Sequence, residues 1–114
     1  FAVSRAFLEP MMKARRGSLI HVGSIQGVVG PVFANYEGTA MTTPPDYHFH
    51  KHGLVGLTKY LAAWAGPHGV RVNAVSPGGF EAGQPESFQQ RYNARTPLGR
   101  MAGHDDIKGA VVYL

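Results

Sequence analysis

Apolar and polar positions along the first half of the chain predict a helix end, a strand and a long loop. The apolar spacing in residues 1–14 is roughly helical, broken late by Pro10, and the segment is predicted to be the end of a helix. The short apolar run 19–22 follows a glycine turn and predicts a buried strand. Residues 25–45 are rich in Gly, Pro and Thr and predict an irregular loop, and loops of such length in compact domains are usually functional.

The second half of the chain returns to periodic patterns. They predict a helix over 46–65, a strand over 70–76, and helices over 85–95 and 105–114. Asp46 follows two prolines and is the predicted N-cap of its helix, whereas Pro85 is the predicted first helical residue of the next one.

The order of these elements indicates the fold class. A strand, a helix and a second strand, joined by a crossover of more than about a dozen residues, form a parallel βαβ unit. Parallel sheets are covered on both faces and rarely consist of two strands. We therefore expect an α/β chain that forms part of a larger doubly wound parallel sheet.

Composition narrows the function classes. The chain has 114 residues and a net charge of +4, but its basic residues are scattered, so we expect no nucleic-acid partner. The absence of cysteine excludes disulfides and thiolate metal sites. With neither an apolar run of membrane-spanning length nor a signal peptide, we expect a cytoplasmic protein that does not bind membranes.

The helix over 46–65 carries a candidate catalytic pair. Tyr47 and Lys51 lie one turn apart, so the ammonium would lower the pKa of the phenol and make it a general acid or base. A tyrosine stacked on a lysine stem at a helix surface is the simpler interpretation. The apolar arc of this helix is too wide for one packed side, so we also expect it to contact a second subunit.

Three histidines surround this pair and raise the question of a metal site. On a strand His48 and His50 would share one face, but on a helix only His48 and His52 do, and no carboxylate is placed to complete a ligand set. We therefore expect no metal, and we expect His50 to be buried in the apolar arc of the helix.

Four motifs in order suggest a family. Ser24 follows a predicted strand, at the end where ligands bind open α/β sheets. The series G-S-L-I-x-V-x-S-x-x-G, Y-x-x-x-K-x-G-L-x-G-L-T-K, R-V-N-A-V-S-P-G and P-L-G-R spans nearly the whole chain. It resembles the second half of a classical short-chain dehydrogenase/reductase. The resemblance implies that residues 1–114 are the C-terminal, catalytic part of one Rossmann-like domain, whose N-terminal nucleotide-binding half is absent from the chain.

The resemblance also implies an activity and assigns residues to it. The enzyme would interconvert a carbonyl and an alcohol of a small-molecule substrate by hydride transfer with NAD or NADP, as a dimer or tetramer built through helix 46–65. Tyr47 would be the general acid/base, Lys51 would assist it and bind the nicotinamide ribose, and Ser24 would hold the substrate oxygen. The implied cofactor-binding residues are Tyr47, Lys51, Pro77, Gly78, Gly79 and Phe80. The substrate-binding candidates are Ser24, Gln26 and Tyr36, the last being either a substrate contact or a loop-packing residue.

Departures from the family pattern bear on the substrate. Tyr47 lies 23 residues after Ser24, a longer spacing than is usual in the family, and the extra residues 34–45 (the insert) would lie beside the substrate pocket. Ala82 stands where a threonine is common. The insert, together with G-G-F-E-A-G-Q-P-E-S-F, is similar to a subgroup associated with nonulosonate biosynthesis and surface-sugar modification, which suggests a polar, sugar-type substrate.

A non-enzymatic alternative remains open. The chain could be a truncated fragment or pseudo-enzyme that acts as a partner-dependent interaction module, as the missing nucleotide-binding half suggests. Retention of Ser24, Tyr47 and Lys51 together favours the enzyme.

Overall fold

The chain forms a parallel sheet with helices packed against it, which confirms the predicted α/β class and order of elements. A computed structural model describes all of residues 1–114. In chain order its helices and strands are α1 (Ala2–Ala14), β1 (Gly17–Val22), α2 (Pro45–Ala65), β2 (Val70–Val75), α3 (Glu86–Asn93) and α4 (Lys108–Tyr113). Single 3-10 turns occupy Ile25–Gly27, Phe33–Asn35 and Gly66–His68.

The two strands pair in parallel and end at the same edge. Gly17 lies opposite Val70 and Val22 lies opposite Val75, with α2 as the crossover between them. The turn from α2 into β2 depends on Gly69, whose φ of 75° is in the left-handed region. The loops that follow β1 and β2 therefore start side by side.

One hydrophobic core joins both long helices to the sheet. It consists of Leu8 from α1, Leu61 and Ala65 from α2, and Val70 and Val72 from β2. Leu8 and Leu61 are fully buried. Because Val70 and Val72 point to the same side of their strand, α1 and α2 pack on one face of the sheet.

Much apolar surface stays uncovered outside this core. The radius of gyration is 16.7 Å, against about 13 Å for a compact domain of this length. Only 12 of 114 residues are buried, and large side chains such as Phe33 and Tyr60 are more than half exposed. Each strand also has one unpaired edge. No helix combines the length and apolar character needed to cross a lipid bilayer.

The first turns of α2 extend beyond the carboxyl ends of the strands. A helix of 21 residues is about 31 Å long, whereas a strand of six residues is about 20 Å long. The buried residues of α2, namely Thr58, Leu61 and Ala65, all lie in its second half. The first half of α2 is therefore free to form the wall of a site at the strand ends.

This overhang explains why the expectation for His50 is wrong. His50 is exposed, although it lies on the same helical face as the buried Leu61. It sits three turns before Leu61, where the strands no longer cover α2. Its ring instead contacts the neighbouring Phe49 edge to face, with centroids 5.7 Å apart.

Two predicted positions at helix ends are also wrong by one or two residues, whereas the helical segment predicted over 1–14 is confirmed. Pro44 is the N-cap of α2 and Pro45 is helical, because a proline at N1 has a preset φ and no amide hydrogen to cap; Asp46 lies in the first turn. Pro85 is an N-cap rather than the first residue of α3. Pro10 does not interrupt α1, since Met11 and Met12 pack against the core and keep the helix going to Ala14.

His21 links three elements through its two ring nitrogens. Thr58 donates its hydroxyl hydrogen to the Leu54 carbonyl at 2.7 Å, so its oxygen accepts from Nδ1 of His21 at 2.8 Å. Nε2 lies 3.0 Å from the hydroxyl of Ser4, which donates to it when the ring is neutral. The two bonds tie β1 to α1 and α2.

Burial of His21 predicts a pH dependence of stability. Burial, with a smaller contribution from the positive charge of the Phe1 amino group, lowers the pKa of His21 below its ordinary value. The unfolded chain therefore binds this proton at higher pH than the folded chain does. The free energy of unfolding should hold above about pH 6.5 and decrease as pH falls below it. In thermal melts between pH 7.5 and 5.5, the melting temperature of His21→Gln should depend less on pH than that of the unaltered protein. Equal slopes of melting temperature against pH for the two proteins would contradict this role.

Candidate active site

A cavity of about 620 Å³ lies at the carboxyl ends of β1 and β2. The segments that leave the two strands meet there, with Gly23 donating to the Val75 carbonyl at 2.7 Å and Ile25 donating to the Pro77 carbonyl at 2.8 Å. Every site residue predicted from the sequence lines this one cavity: Ser24, Gln26, Tyr36, Tyr47, Lys51, Pro77, Gly78, Gly79 and Phe80.

Lys51 connects α2 to the end of β1. Its Nζ donates to the carbonyl oxygens of Val22 at 3.0 Å and Gly23 at 3.1 Å. An ammonium has three N–H donors, so one remains for a molecule in the cavity. The same Nζ lies 5.5 Å from the centre of the Tyr47 ring.

Tyr47 and Ser24 reach the cavity with unused hydrogens. The Tyr47 ring is 39% exposed, and its hydroxyl has no hydrogen-bond partner in the chain. Ser24 is the N-cap of the first 3-10 turn, where its Oγ accepts from the amide of Gln26 at 3.1 Å. This bond fixes the Ser24 oxygen and leaves its hydroxyl hydrogen free to donate.

The insert is attached to the site through Gln26. Thr43 donates to Oε1 of Gln26 at 3.1 Å, so the Thr43 oxygen accepts from Nε2 of His48 at 3.1 Å. Nε2 of Gln26 points to the Tyr36 hydroxyl at 3.5 Å. The phenol of Tyr36 therefore keeps its own hydrogen for donation into the cavity.

His48 and His52 of α2 make hydrogen bonds to nearby residues of the chain. Nδ1 of His52 lies 3.0 Å from the backbone oxygen of His48, and Nε2 of His48 is bonded to Thr43. No three His, Asp or Glu side chains of the chain form a group that could hold a metal ion.

The wall that follows β2 is tightly packed at Gly79. A β-carbon on Gly79 would lie 2.9 Å from both the Tyr92 ring and the methyl group of Met101. The backbone amide of Gly79 donates to the Tyr92 hydroxyl at 2.5 Å. The Met101 carbonyl accepts from Nη1 of Arg100 at 3.0 Å, and Arg100 forms a bidentate pair with Asp106 at 2.7 and 2.8 Å. The hydrogen bonds from Arg100, with one from the Gly103 amide, keep the pKa of the Asp106 carboxyl well below its usual range.

Sequence reasoning missed the contribution of α3. Phe88 stacks on Tyr92 at 5.8 Å and lies 5.2 Å from the ring of Tyr36, and both α3 residues line the cavity together with Arg95. A signal was available, because Phe88, Tyr92 and Arg95 are spaced four and three residues apart and so share one helical face.

Comparison of the sequence with known proteins finds similar sequences along the whole chain. A family profile described as enoyl-(acyl carrier protein) reductase matches residues 1–114. The 3-oxoacyl-(acyl-carrier-protein) reductase FabG of Aquifex aeolicus is 34% identical over 119 residues, covering all of this chain and 44% of that protein. The post-translational flagellin modification protein A of Campylobacter coli is 32% identical over 111 residues, covering 97% of this chain and 43% of that protein.

The fold has solved counterparts as well. The crystal structure of a short chain dehydrogenase from Leptospira borgpetersenii with bound NAD+ superimposes with a TM-score of 0.90 and 37% identity. The superposition covers 98% of this chain and 42% of that one. The chain thus spans less than half the length of the relatives that it matches.

The close contact between the first 3-10 turn and α2 leads to a prediction about the stability of a variant at Gly27. A β-carbon on Gly27 would lie 2.6 Å from the backbone oxygen of Lys51. Because that oxygen belongs to the backbone of α2, it cannot rotate away as a side chain could. Gly27→Ala should therefore lower the free energy of unfolding by about 1–3 kcal/mol in denaturant titrations. Gly30→Ala is the matched control, because nothing lies within 4 Å of its β-carbon and its φ is not positive. Equal losses in both variants would contradict the contact.

Proposed function

Because the chain belongs to the short-chain dehydrogenase/reductase family, we propose that it carries the catalytic residues of an NAD(P)-dependent oxidoreductase that interconverts a carbonyl and an alcohol. The chain would be the C-terminal part of one Rossmann-like domain. The observation that carries the proposal is the convergence of Ser24, Tyr47 and Lys51 on one cavity with the segment 77–80.

Each of the three residues has a role that its contacts support. The Tyr47 hydroxyl has no partner in the chain, so it is available to give a proton to the substrate oxygen or to take one from it. Ser24 is oriented by the Gln26 amide and donates its free hydrogen to the same oxygen. Lys51 lies 5.5 Å from the centre of the Tyr47 ring, so a positive charge stands beside the phenol that would exchange the proton.

The residues present fit the nicotinamide half of the cofactor. When bound, the nicotinamide supplies or accepts the hydride. The third N–H of Lys51 suits a ribose hydroxyl, and Gly78 and Gly79 present bare backbone that lets a flat ring approach closely. Pro77 and Phe80 flank these glycines in the cavity wall.

The substrate that we propose is a small polar molecule of the sugar type. Gln26, Tyr36 and Gln84 bring hydrogen-bonding groups to the cavity, which supports a hydroxylated substrate. The FabG relative is named for reduction of 3-oxoacyl groups rather than for sugar chemistry. A 3-oxoacyl thioester is therefore the competing substrate class.

The exposed face of α2 supports the proposal of a homo-oligomer. Phe49 and Tyr60 on this helix are 76% and 62% exposed, an unusual state for large aromatic side chains. A second copy packed on helix 46–65 would cover them, giving a dimer or tetramer.

Replacement of the phenol tests the catalytic assignment. In the full-length protein, Tyr47→Phe should lower kcat by about 100- to 10,000-fold, because the general acid/base is lost. The affinity for NAD(P)H, followed by its fluorescence, should change by no more than about threefold, since Lys51 and the glycines remain. Tyr60→Phe, on the same helix but outside the cavity, is the control and should retain full activity.

Two outcomes would contradict this assignment. Full activity of Tyr47→Phe would show that another group moves the proton. Failure of the unaltered protein to bind either nicotinamide cofactor would favour the interaction module over the enzyme.

A further inference from the structure

The charges that line the cavity are all of one sign. Among the lining residues only Lys51 and Arg95 are charged, and neither Asp nor Glu is present. Two of the three N–H donors of Lys51 bond to backbone carbonyls at the end of β1. Arg95 lies in the residues that follow α3, and the proposed reaction gives it no role.

The Arg95 guanidinium is held in a fixed orientation. Its Nη1 donates to Oδ1 of Asn35 and to the backbone oxygen of Arg91, both at 3.0 Å. Asn35 belongs to the insert and is only 7% exposed. Burial of an amide group is costly unless its atoms are hydrogen-bonded. The bond from Arg95 offsets this cost for the side-chain oxygen of Asn35, and it orients the guanidinium at the same time.

The other donors of Arg95 have no acceptor in the chain. The two hydrogens of Nη1 are used by Asn35 and Arg91, whereas Nη2 and Nε make no hydrogen bond. The three ion pairs of the chain involve other arginines and lysines, namely those of Arg5 with Glu9, Arg100 with Asp106 and Lys108 with Asp105. Arg95 thus presents a preorganised fork with an uncompensated charge at the cavity.

A fork of this kind selects for anionic oxygen. Planar guanidinium donors match the two oxygens of a carboxylate or the oxygens of a phosphate, and charge-assisted bonds are the stronger ones. Because Asn35 and Arg91 already immobilise the side chain, little conformational entropy remains to be lost on binding.

From this arrangement we propose that Arg95 binds a carboxylate or phosphate group of the substrate, so that the substrate is an anionic hydroxy or oxo compound. The inference rests on the proposed function, because it assigns a substrate class to the same cavity. Arg95 determines specificity through binding, and the reacting oxygen stays with Ser24 and Tyr47.

Arg91 provides the matched control. It lies one turn before Arg95 and also bonds to the insert, with Nη1 donating to the Glu37 carbonyl at 2.5 Å. It does not line the cavity. If arginines of this region serve only to hold the insert, the two variants should behave alike.

Ligand-observed NMR titrations of the full-length protein test the proposal without requiring turnover. The probes are glycerate, glycerol 3-phosphate and glycerol, which share a polyol and differ in the anionic group. Arg95→Gln should weaken binding of at least one of the two anions by about 10- to 100-fold and leave glycerol unchanged. Arg91→Gln should change no affinity by more than about twofold. The anion that binds more tightly identifies carboxylate or phosphate as the group recognised.

A purely structural role for Arg95 predicts a different pattern. Equal weakening of all three probes, or no change in any, would overturn the proposal. Should Arg95→Gln fail to fold by circular dichroism, Arg95→Lys keeps the charge without the fork; it should retain glycerol binding and weaken the anions by about threefold or more. Unchanged anion binding in that variant would likewise overturn the proposal.

The same titrations separate this inference from the proposed function. Anion binding that depends on Arg95, in a protein that transfers no hydride to or from any alcohol or carbonyl, would leave the anion site standing and reject the oxidoreductase. Turnover of neutral and anionic substrates with equal kcat/KM in the unaltered protein would reject the anion site and leave the oxidoreductase standing.

Discussion

The two hydrogen bonds from Lys51 to the end of β1 are the contact on which the candidate site depends. Bonds of 3.0 and 3.1 Å to the Val22 and Gly23 carbonyls fix the overhanging half of α2 above the strand ends. Tyr47 lies one turn away from Lys51 on that half. Ser24 directly follows Gly23 in the chain. One ammonium therefore sets the relative positions of all three groups, and close packing of Gly27 against the Lys51 backbone keeps them there.

Different elements build the two sides of the cavity. The strand ends and α2 carry Ser24 and Lys51, whose hydrogen bonds within the chain leave other hydrogens free. Donors that are oriented in advance in this way can stabilise charge on a reacting oxygen. The insert, α3 and the residues that follow α3 form the opposite wall, which aromatic rings and Arg95 line. The chemistry of the site and its selectivity can thus change independently.

The positions of the three proposed reacting groups at the cavity were predictable from the sequence because short motifs encode them. Tyr47 and Lys51 are one helical turn apart, and Ser24 follows an apolar run, so local geometry brings each to the strand ends. The hydrogen bond that orients Arg95 was not predictable, since its partner Asn35 is 60 residues away in the chain. His50 was misplaced for a related reason: periodicity gives the face of a helix, but not how far the sheet extends along it.

The most direct test of the account is a crystal structure of the full-length protein with a nicotinamide cofactor and an unreactive alcohol. We expect Lys51 to keep its bonds to the end of β1 and to donate its third hydrogen to the ribose. We also expect the Tyr47 and Ser24 hydroxyls to lie within hydrogen-bond distance, about 3 Å, of the alcohol oxygen. A cofactor or alcohol bound away from these three residues would contradict the account.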